Sequence, residues 1–429
     1  MKVENDAFCE LTLHGPETGP FPLTWGQGNM WESIVALGSR SSRLNISWTF
    51  AVKNGVRVPD ALTRIRNCLA QFDIFRVSFD EQRVEQTFKE KADVRVYVSE
   101  APTAAIRENP FAFDETPIRL ELLHAGGLVT HTSVVLSHLA FDGGACRPLT
   151  GILRDAIEGH GVPAQGMQTE ELIGYERSAA GVRRSNAVIG GWVSAATRLP
   201  PGRGLLSTTA GADSVISIRS RATSIASQTL SLRIGASASS VILAALARVV
   251  RQDFYSGLSA MPLVCNNRMQ PGLSEFIGQT LGNGLFILPE RVDAEFSSYV
   301  RNAYSRALGA YRRARYDCFE WRNVLTDLSA KGLATDLSYY FNDVRAERDP
   351  WAGLENQMSE LRAGVTRPTS IETVEWRGMS DATCFASLDS IDQDCLLTLV
   401  CDDSQISESD AVGVLETLED LLVKEALKS

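Results

Sequence analysis

Leu128 to Leu136 is an apolar run that reads as one buried strand, and it passes without a break into the polar turn Ser137-His138-Leu139-Ala140-Phe141-Asp142-Gly143-Gly144. A helix follows, with Ala145, Leu149, Ile152 and Leu153 on one face. A buried strand that hands over to an amphipathic helix needs a sheet layer and a helix layer packed together. The expected class is therefore α/β, or α+β if strands and helices segregate.

The rest of the chain carries the same mixture. Leu44 to Val52 alternates, with Leu44, Ile46, Trp48, Phe50 and Val52 on one face, so it predicts a half-buried strand. Residues 23–38 predict a loop entering a short helix. Pro59 opens a helix with Leu62, Ile65, Cys68, Leu69 and Phe72 inward. Further strands are expected at Val77–Phe79, Val94–Val98, Met261–Cys265, Leu337–Phe341, Thr383–Leu388 and Cys395–Cys401. Helices are expected over Ser237–Arg251, Glu295–Arg315 and Asp410–Leu427, and a Gly- and Asn-rich loop over Asn266–Gly284. The composition turns linker-like from about Gly159 to Gly174 and again over Arg198 to Ala212. That places the boundary of two domains between them, with an N-terminal lobe 1–175 and a C-terminal lobe 176–429.

With 42 basic and 52 acidic side chains the net charge is −10, which argues against nucleic acid as a ligand. The eight cysteines form no CxxC pair and no cluster with histidine, so no metal site is expected and the thiols read as reduced core residues. The opening MKVENDAFCELTLHG has acidic residues and no apolar core, so no signal peptide is expected. The most apolar run, Val241 to Val250, is too short for a membrane span. These readings together predict a cytoplasmic protein with no membrane partner.

Of five histidines, His138 is the one placed for chemistry. A strand end is a rigid mount, and histidine titrates nearest neutral pH. Gly143 and Gly144 let backbone approach a ligand, and the helix behind them offers free N–H groups to a developing oxyanion. The plain alternative is a turn that Asp142 merely holds.

The residues around His138 resemble the condensation domains of nonribosomal peptide synthetases, in the chloramphenicol acetyltransferase-like superfamily. The family signature HHxxxDG is matched by Ser137-His138-Leu139-Ala140-Phe141-Asp142-Gly143, with Ser137 in place of the first His. The opening SxAQxRLW looks like Thr24-Trp25-Gly26-Gln27-Gly28-Asn29-Met30-Trp31. RHExLRTxF looks like Gln71-Phe72-Asp73-Ile74-Phe75-Arg76-Val77-Ser78-Phe79. GxFVNT is loosely matched by Gly278-Gln279-Thr280-Leu281-Gly282-Asn283, and DYPFE by Tyr316-Asp317-Cys318-Phe319-Glu320. The resemblance spans essentially the whole chain, and only the His-Asp-Gly set is specific.

The resemblance implies two chloramphenicol acetyltransferase-like lobes in a V-shaped pseudo-dimer, with the active site in a tunnel between them. It implies that His138 contacts the acceptor nucleophile, as a base or as a positioning group, with the Gly143 N–H a candidate oxyanion donor. Asp142 is expected to point away from substrate and pair with an arginine, for which Arg76 is the candidate, while Ser137 supports the loop. Asn283 and Asn342 are candidates to line the tunnel. Arg312, Arg313 and Arg315, with Arg301 and Arg306, are candidates to receive an acidic partner. The plain reading of that run is a solvated helix face.

The implied activity is a free-standing condensation enzyme. It would form an amide, or an ester, between an acyl or aminoacyl thioester on a carrier protein and a small amine or alcohol. No bound cofactor is needed, because the substrate arrives as a phosphopantetheine or CoA thioester. No adenylation or carrier signature is visible, so the carrier is expected to act in trans on a monomer. Two alternatives stay open: an acyl-CoA-dependent acyltransferase of the same superfamily, and a catalytically silent module that recruits a tailoring enzyme. A thiol hydrolase using Cys146 is a more distant reading.

Overall fold

The computed structural model describes residues 8–103, 105–161, 166–201, 213–291, 294–345, 354–364, 366–376 and 382–428. The chain forms two compact units. The first holds residues 1–185, 266–282 and 317–319, and the second holds 186–265, 283–316 and 320–429. The division therefore differs from the single cut expected at 175: the chain returns twice to the first unit.

In the first unit, β1 (Phe8–His14), β2 (Thr18–Pro22), α1 (Trp25–Leu37), β3 (Ile46–Arg57) and α2 (Val58–Leu69) come first. β4 (Val77–Asp80), β5 (Glu85–Phe88), β6 (Lys91–Ser99), α3 (Ala105–Glu108), β7 (Ile118–Ala125), β8 (Leu128–Leu136), α4 (Cys146–Glu158) and α5 (Thr169–Arg177) follow. Five strands form one sheet in the order β1-β6-β7-β8-β3, and β2-β5-β4 form a small second sheet. β6 and β7 run parallel, while β8 lies antiparallel to both β7 and β3. The expected strands at 44–52 and 128–136 are β3 and β8, and β8 has the expected ends. Pro59 sits in the first turn of α2, where its missing N–H has no acceptor to lose. The inward faces of α2 (Ala61, Ile65, Leu69) and α4 (Leu149, Leu153, Ile157) share one core with Val94, Val96, Leu120, Leu122, Val134 and Leu136 from the sheet. The second linker-like stretch lies mostly outside the described residues, and the first already gives way to α5 at Thr169.

α6 (Ala179–Ala196) carries the chain out of this unit. In the second unit, β9 (Asp213–Ser220), α7 (Arg221–Ile234), α8 (Ala238–Val249), β10 (Ala260–Cys265), β11 (Gly282–Ile287) and α9 (Phe296–Arg312) precede α10 (Cys318–Ala330). Then come β12 (Tyr339–Asp343), α11 (Leu354–Ala363), β13 (Ser370–Trp376), β14 (Cys384–Ser390), β15 (Cys395–Asp402) and α12 (Glu408–Leu427). Seven strands form one mixed sheet in the order β11-β10-β12-β14-β15-β9-β13. α7, α8, α9 and α12 bury their apolar residues in a single core with this sheet. α8 is apolar around its whole circumference because it is surrounded by core; its residues Val241 to Ala247 are all buried. Among the described residues, no single helix is long and apolar enough to cross a membrane.

Candidate active site

The strand end at β8 is held rigidly. Val134, Val135 and Leu136 are buried, and the Ser137 N–H donates to the Pro117 carbonyl at 3.0 Å. The Ser137 carbonyl then accepts the N–H groups of Ala140 and Phe141, each at 3.1 Å, which turns the chain back on itself. Ser137 thus supports the turn through its backbone, a role open to residues other than histidine. Leu139, Ala140 and Phe141 plug into the core, and the Phe141 ring stacks on Phe75 with centroids 5.5 Å apart.

His138 is the partly exposed member of this buried turn. Its Nδ1 lies 2.8 Å from the Phe141 carbonyl oxygen. A carbonyl only accepts, so Nδ1 carries the proton and Nε2 keeps its lone pair. Desolvation by burial lowers the His138 pKa below the ordinary histidine value, against opposing effects of the Phe141 carbonyl and the Asp142 charge. The imidazole is therefore neutral at neutral pH, with Nε2 able to accept a proton. Gln279 clamps the same turn: its amide nitrogen donates to the carbonyls of His138 (2.7 Å) and Phe141 (3.0 Å). The Leu281 N–H donates to its oxygen at 3.1 Å, which fixes the orientation of the amide.

Asp142 is fully buried and its carboxylate accepts hydrogen bonds on both oxygens. Oδ1 takes Arg268 Nη2 at 2.7 Å and Nε at 3.2 Å, and Oδ2 takes the Thr280 N–H at 2.7 Å and its hydroxyl at 2.8 Å. Arg268 spends its remaining N–H groups on the carbonyls of Phe276 (2.6 Å), Gly278 (3.1 Å) and Leu273 (3.4 Å). A buried ion pair is tolerable when the leftover donors and lone pairs are also satisfied, as they are here. Asp142 is thus a fastening for the loop 266–282 onto the His138 turn.

The expected partner was Arg76, and the geometry corrects that expectation. Arg76 is also buried, but its Nη1 donates to the carbonyls of Pro16 and Lys89. Asp142 already has Arg268 across its carboxylate, which a sequence separation of 126 residues hides from inspection of the chain. Arg268, Gln279 and Thr280 are the residues that sequence reasoning missed. The loose match of residues 278–283 to a family loop was the one signal pointing near them.

The glycines divide by function. A Cβ on Gly144 would fall 2.1 Å from Arg268 Nε, so the guanidinium occupies the place of a side chain. A Cβ on Gly143 would meet nothing within 4 Å, so its backbone is openly accessible. In α1, a Cβ on Gly26 would come within 2.6 Å of the Gln279 carbonyl oxygen, and one on Gly28 within 2.4 Å of Cys318 Sγ. These small residues let α1 lie directly against the loop that carries Gln279 and Thr280, and the Asn29 amide donates to the Leu281 carbonyl at 3.2 Å.

The other candidates lie elsewhere. Cys146 is half-buried, and desolvation followed by the Asp142 charge pushes its thiol up to about 11, so it is protonated at neutral pH and a poor nucleophile. Asn283 in β11 and Asn342 in β12 belong to the second unit and are half-buried. Arg312 and Arg313 are exposed at the end of α9, as is Arg301 at its middle, whereas Arg315 is buried and Arg306 donates to the carbonyls of Ile287 and Leu288. Among the described residues, no group of three His, Cys, Asp or Glu side chains could hold a metal ion.

No family model matches this sequence, and no curated protein matches it. Solved structures do. A structure concerned with condensation-domain-mediated chain release from the enacyloxin polyketide synthase superposes with a TM-score of 0.68 at 14% identity, covering 97% of this chain and 85% of that one. The condensation domain of the monacolin K polyketide synthase MokA gives 0.68 at 14% identity, covering 96% and 99%. The chain has a condensation-domain fold. A structure of the X-domain in complex with OxyB, from teicoplanin biosynthesis, gives 0.64 at 19% identity over 95% and 94%. With the condensation-domain fold in place, the turn holding His138, Asp142 and Gly143 lies at the end of a central strand of the first unit, β8.

Proposed function

We propose that this chain is a condensation enzyme of secondary-metabolite biosynthesis. It joins an acyl or aminoacyl group, held as a thioester on the phosphopantetheine arm of a carrier protein, to a small amine, or to an alcohol. The observation that carries the reading is the 2.8 Å contact between His138 Nδ1 and the Phe141 carbonyl oxygen, which commits the Nδ1 proton there and leaves Nε2 as an acceptor on a ring whose pKa burial lowers.

The step balances simply. The acceptor nitrogen attacks the thioester carbonyl, and the His138 Nε2 takes or orients the N–H proton. Charge builds on the carbonyl oxygen, for which the Gly143 N–H is the donor. The C–S bond then breaks, and the proton leaves with the sulfur, giving an amide and a free thiol. An amine is already nucleophilic, so positioning suffices for it, whereas an alcohol needs the base. Asp142, Arg268, Thr280 and Gln279 hold the turn in place and take no part in the proton transfer. The exposed Arg301, Arg312 and Arg313 offer an acidic carrier a local basic surface against a net charge of −10.

The test is intact-protein mass spectrometry of an acyl-loaded carrier incubated with the full chain and an amine. The acyl group should leave the carrier and appear as an amide, at a rate that His138→Ala lowers by about 100-fold or more. Equal turnover with a free CoA thioester moves the donor from the carrier to CoA. Product formation unchanged by His138→Ala overturns the enzyme reading in favour of a recruitment module.

A further inference from the structure

In the second unit, β14 and β15 set two thiols directly opposite each other. Their antiparallel register pairs Cys384 with Cys401 across the ladder. The Cys384 N–H turns away from β15 and donates to the Ser338 carbonyl, just before β12, at 3.2 Å. The ladder bond to β15 is made one step along, by the Asp402 N–H to the Thr383 carbonyl at 3.1 Å. Cys384 and Cys401 are therefore a non-hydrogen-bonded pair, the kind whose Cα atoms lie about 4.5 Å apart and whose side chains come closest. That separation falls within the Cα spacing of ordinary disulfides, ~4.4–6.8 Å. The side chains already meet: the Cys401 S–H donates to Cys384 Sγ at 3.6 Å.

The two sulfurs are not equivalent. Cys401 is 1% exposed, whereas Cys384, the first residue of β14, is 7% exposed. The bond to Cys384, and then burial, push the Cys401 thiol up, so it keeps its proton. A reagent that reaches this pair meets Cys384 first, and only a small one fits through so narrow an opening. Cys395, in the same strand and equally buried, faces Ser220 of β9. It fills the same core without a thiol opposite it in that pairing, and so serves as an internal control.

From this pairing we propose that Cys384 and Cys401 are a dithiol modification site, which a small hydroperoxide converts into a reversible disulfide joining β14 to β15. The Cys384 sulfur attacks one peroxide oxygen; the S–O bond forms as the O–O bond breaks, and the departing oxygen takes the Cys384 proton and leaves as an alcohol or water. The Cys401 sulfur then attacks the resulting sulfenic acid at sulfur. The S–S bond forms, the S–O bond breaks, and the hydroxyl leaves as water with the Cys401 proton. Two thiols are oxidised by two electrons and one peroxide is reduced. The site lies in the second unit, apart from the His138 turn, and stands whether or not the proposed condensation activity is correct.

The test treats the reduced full chain with hydrogen peroxide, then unfolds, alkylates and maps it by mass spectrometry. No Lys or Arg lies between Cys384 and Cys401, so trypsin leaves them on one peptide with Cys395, and cleavage at aspartate is added. The expected product is a Cys384–Cys401 link that dithiothreitol removes. The link should persist in Cys395→Ala and vanish in Cys401→Ala, where a dione probe for sulfenic acid should label Cys384. Mapping the unsubstituted chain keeps the test decisive if a variant fails to fold. Because the backbone is already in place, the linked chain should melt about 5 °C above the reduced one. A Cys384–Cys395 link overturns the assignment, as does a linked chain that melts below the reduced one. So does oxidation confined to the half-buried Cys9 and Cys146, or a pair that stays reduced until the chain is unfolded.

Discussion

The first unit buries two arginines in opposite states. Arg268, on the loop 266–282, spends its N–H groups on Asp142 and on carbonyls of its own loop. Arg76, at the end of the segment 73–76, spends only Nη1, although it is the more deeply buried of the two at 4% exposure against 8%. A guanidinium whose donors are all answered by its own fold is a fastener. One with an unanswered Nε carries the cost of a buried donor left unsatisfied. Burial alone does not separate these roles; the count of satisfied donors does.

The largest effect expected from breaking this contrast is at the Asp142–Arg268 pair. Arg268→Met strands a buried carboxylate and should cost ~3–5 kcal/mol, read as a shift in urea midpoint. Next is Gly144→Ala, which drives a methyl into Arg268 and should cost ~1–3 kcal/mol by the same assay. Arg76→Met removes two hydrogen bonds but strands no charge, so its cost should be smaller, ~1–2 kcal/mol. If Arg76→Met proves as damaging as Arg268→Met, the contrast between the two arginines fails.

A pH series sharpens the picture from the other side of the turn. The folded state lowers the His138 pKa below its unfolded value of about 6.5, so the folded protein resists protonation there. This group's stability contribution is fully present above about pH 6.5 and is lost as the pH falls below it. His138→Gln should flatten that part of the profile, measured as unfolding free energy between about pH 7.5 and 5. The smallest effect is at Arg312→Glu with Arg313→Glu, where both side chains are exposed and stability should move within about 0.5 kcal/mol each.

Much of this architecture was legible in the chain. The alternation of β3, the apolar β8 and the stripes of α2 and α4 read directly, because each buries one clean face. β7 did not, because Arg119 and Glu121 look like solvent-facing residues. Both are buried: Arg119 pairs with Glu115 at 2.8 Å, and Glu121 accepts from Ser99 and from the Thr103 N–H. α7 was hidden in the same way, since buried Ser224 and Gln228 donate to the carbonyls of Ile391 and Asp392 and so occupy positions that a pattern search reserves for apolar residues. At the candidate site, His138, Asp142 and Gly143 were visible as a local motif. Their fasteners were not, because which arginine meets Asp142 is decided by the path of the chain and leaves no periodicity.

That path has a consequence for how the protein is made. The carboxylate at position 142 emerges from the ribosome well before the arginine and threonine that neutralise and cap it. Until residue 280 has been synthesised, the first unit cannot close its own core without burying an unanswered charge. The cost of closing a loop grows only slowly with its length, so the delay lies in waiting for the segment and not in finding it. A fragment ending at Ser185 should therefore be a loosened, protease-sensitive domain. Supplying the missing stretch as a separate peptide should tighten it.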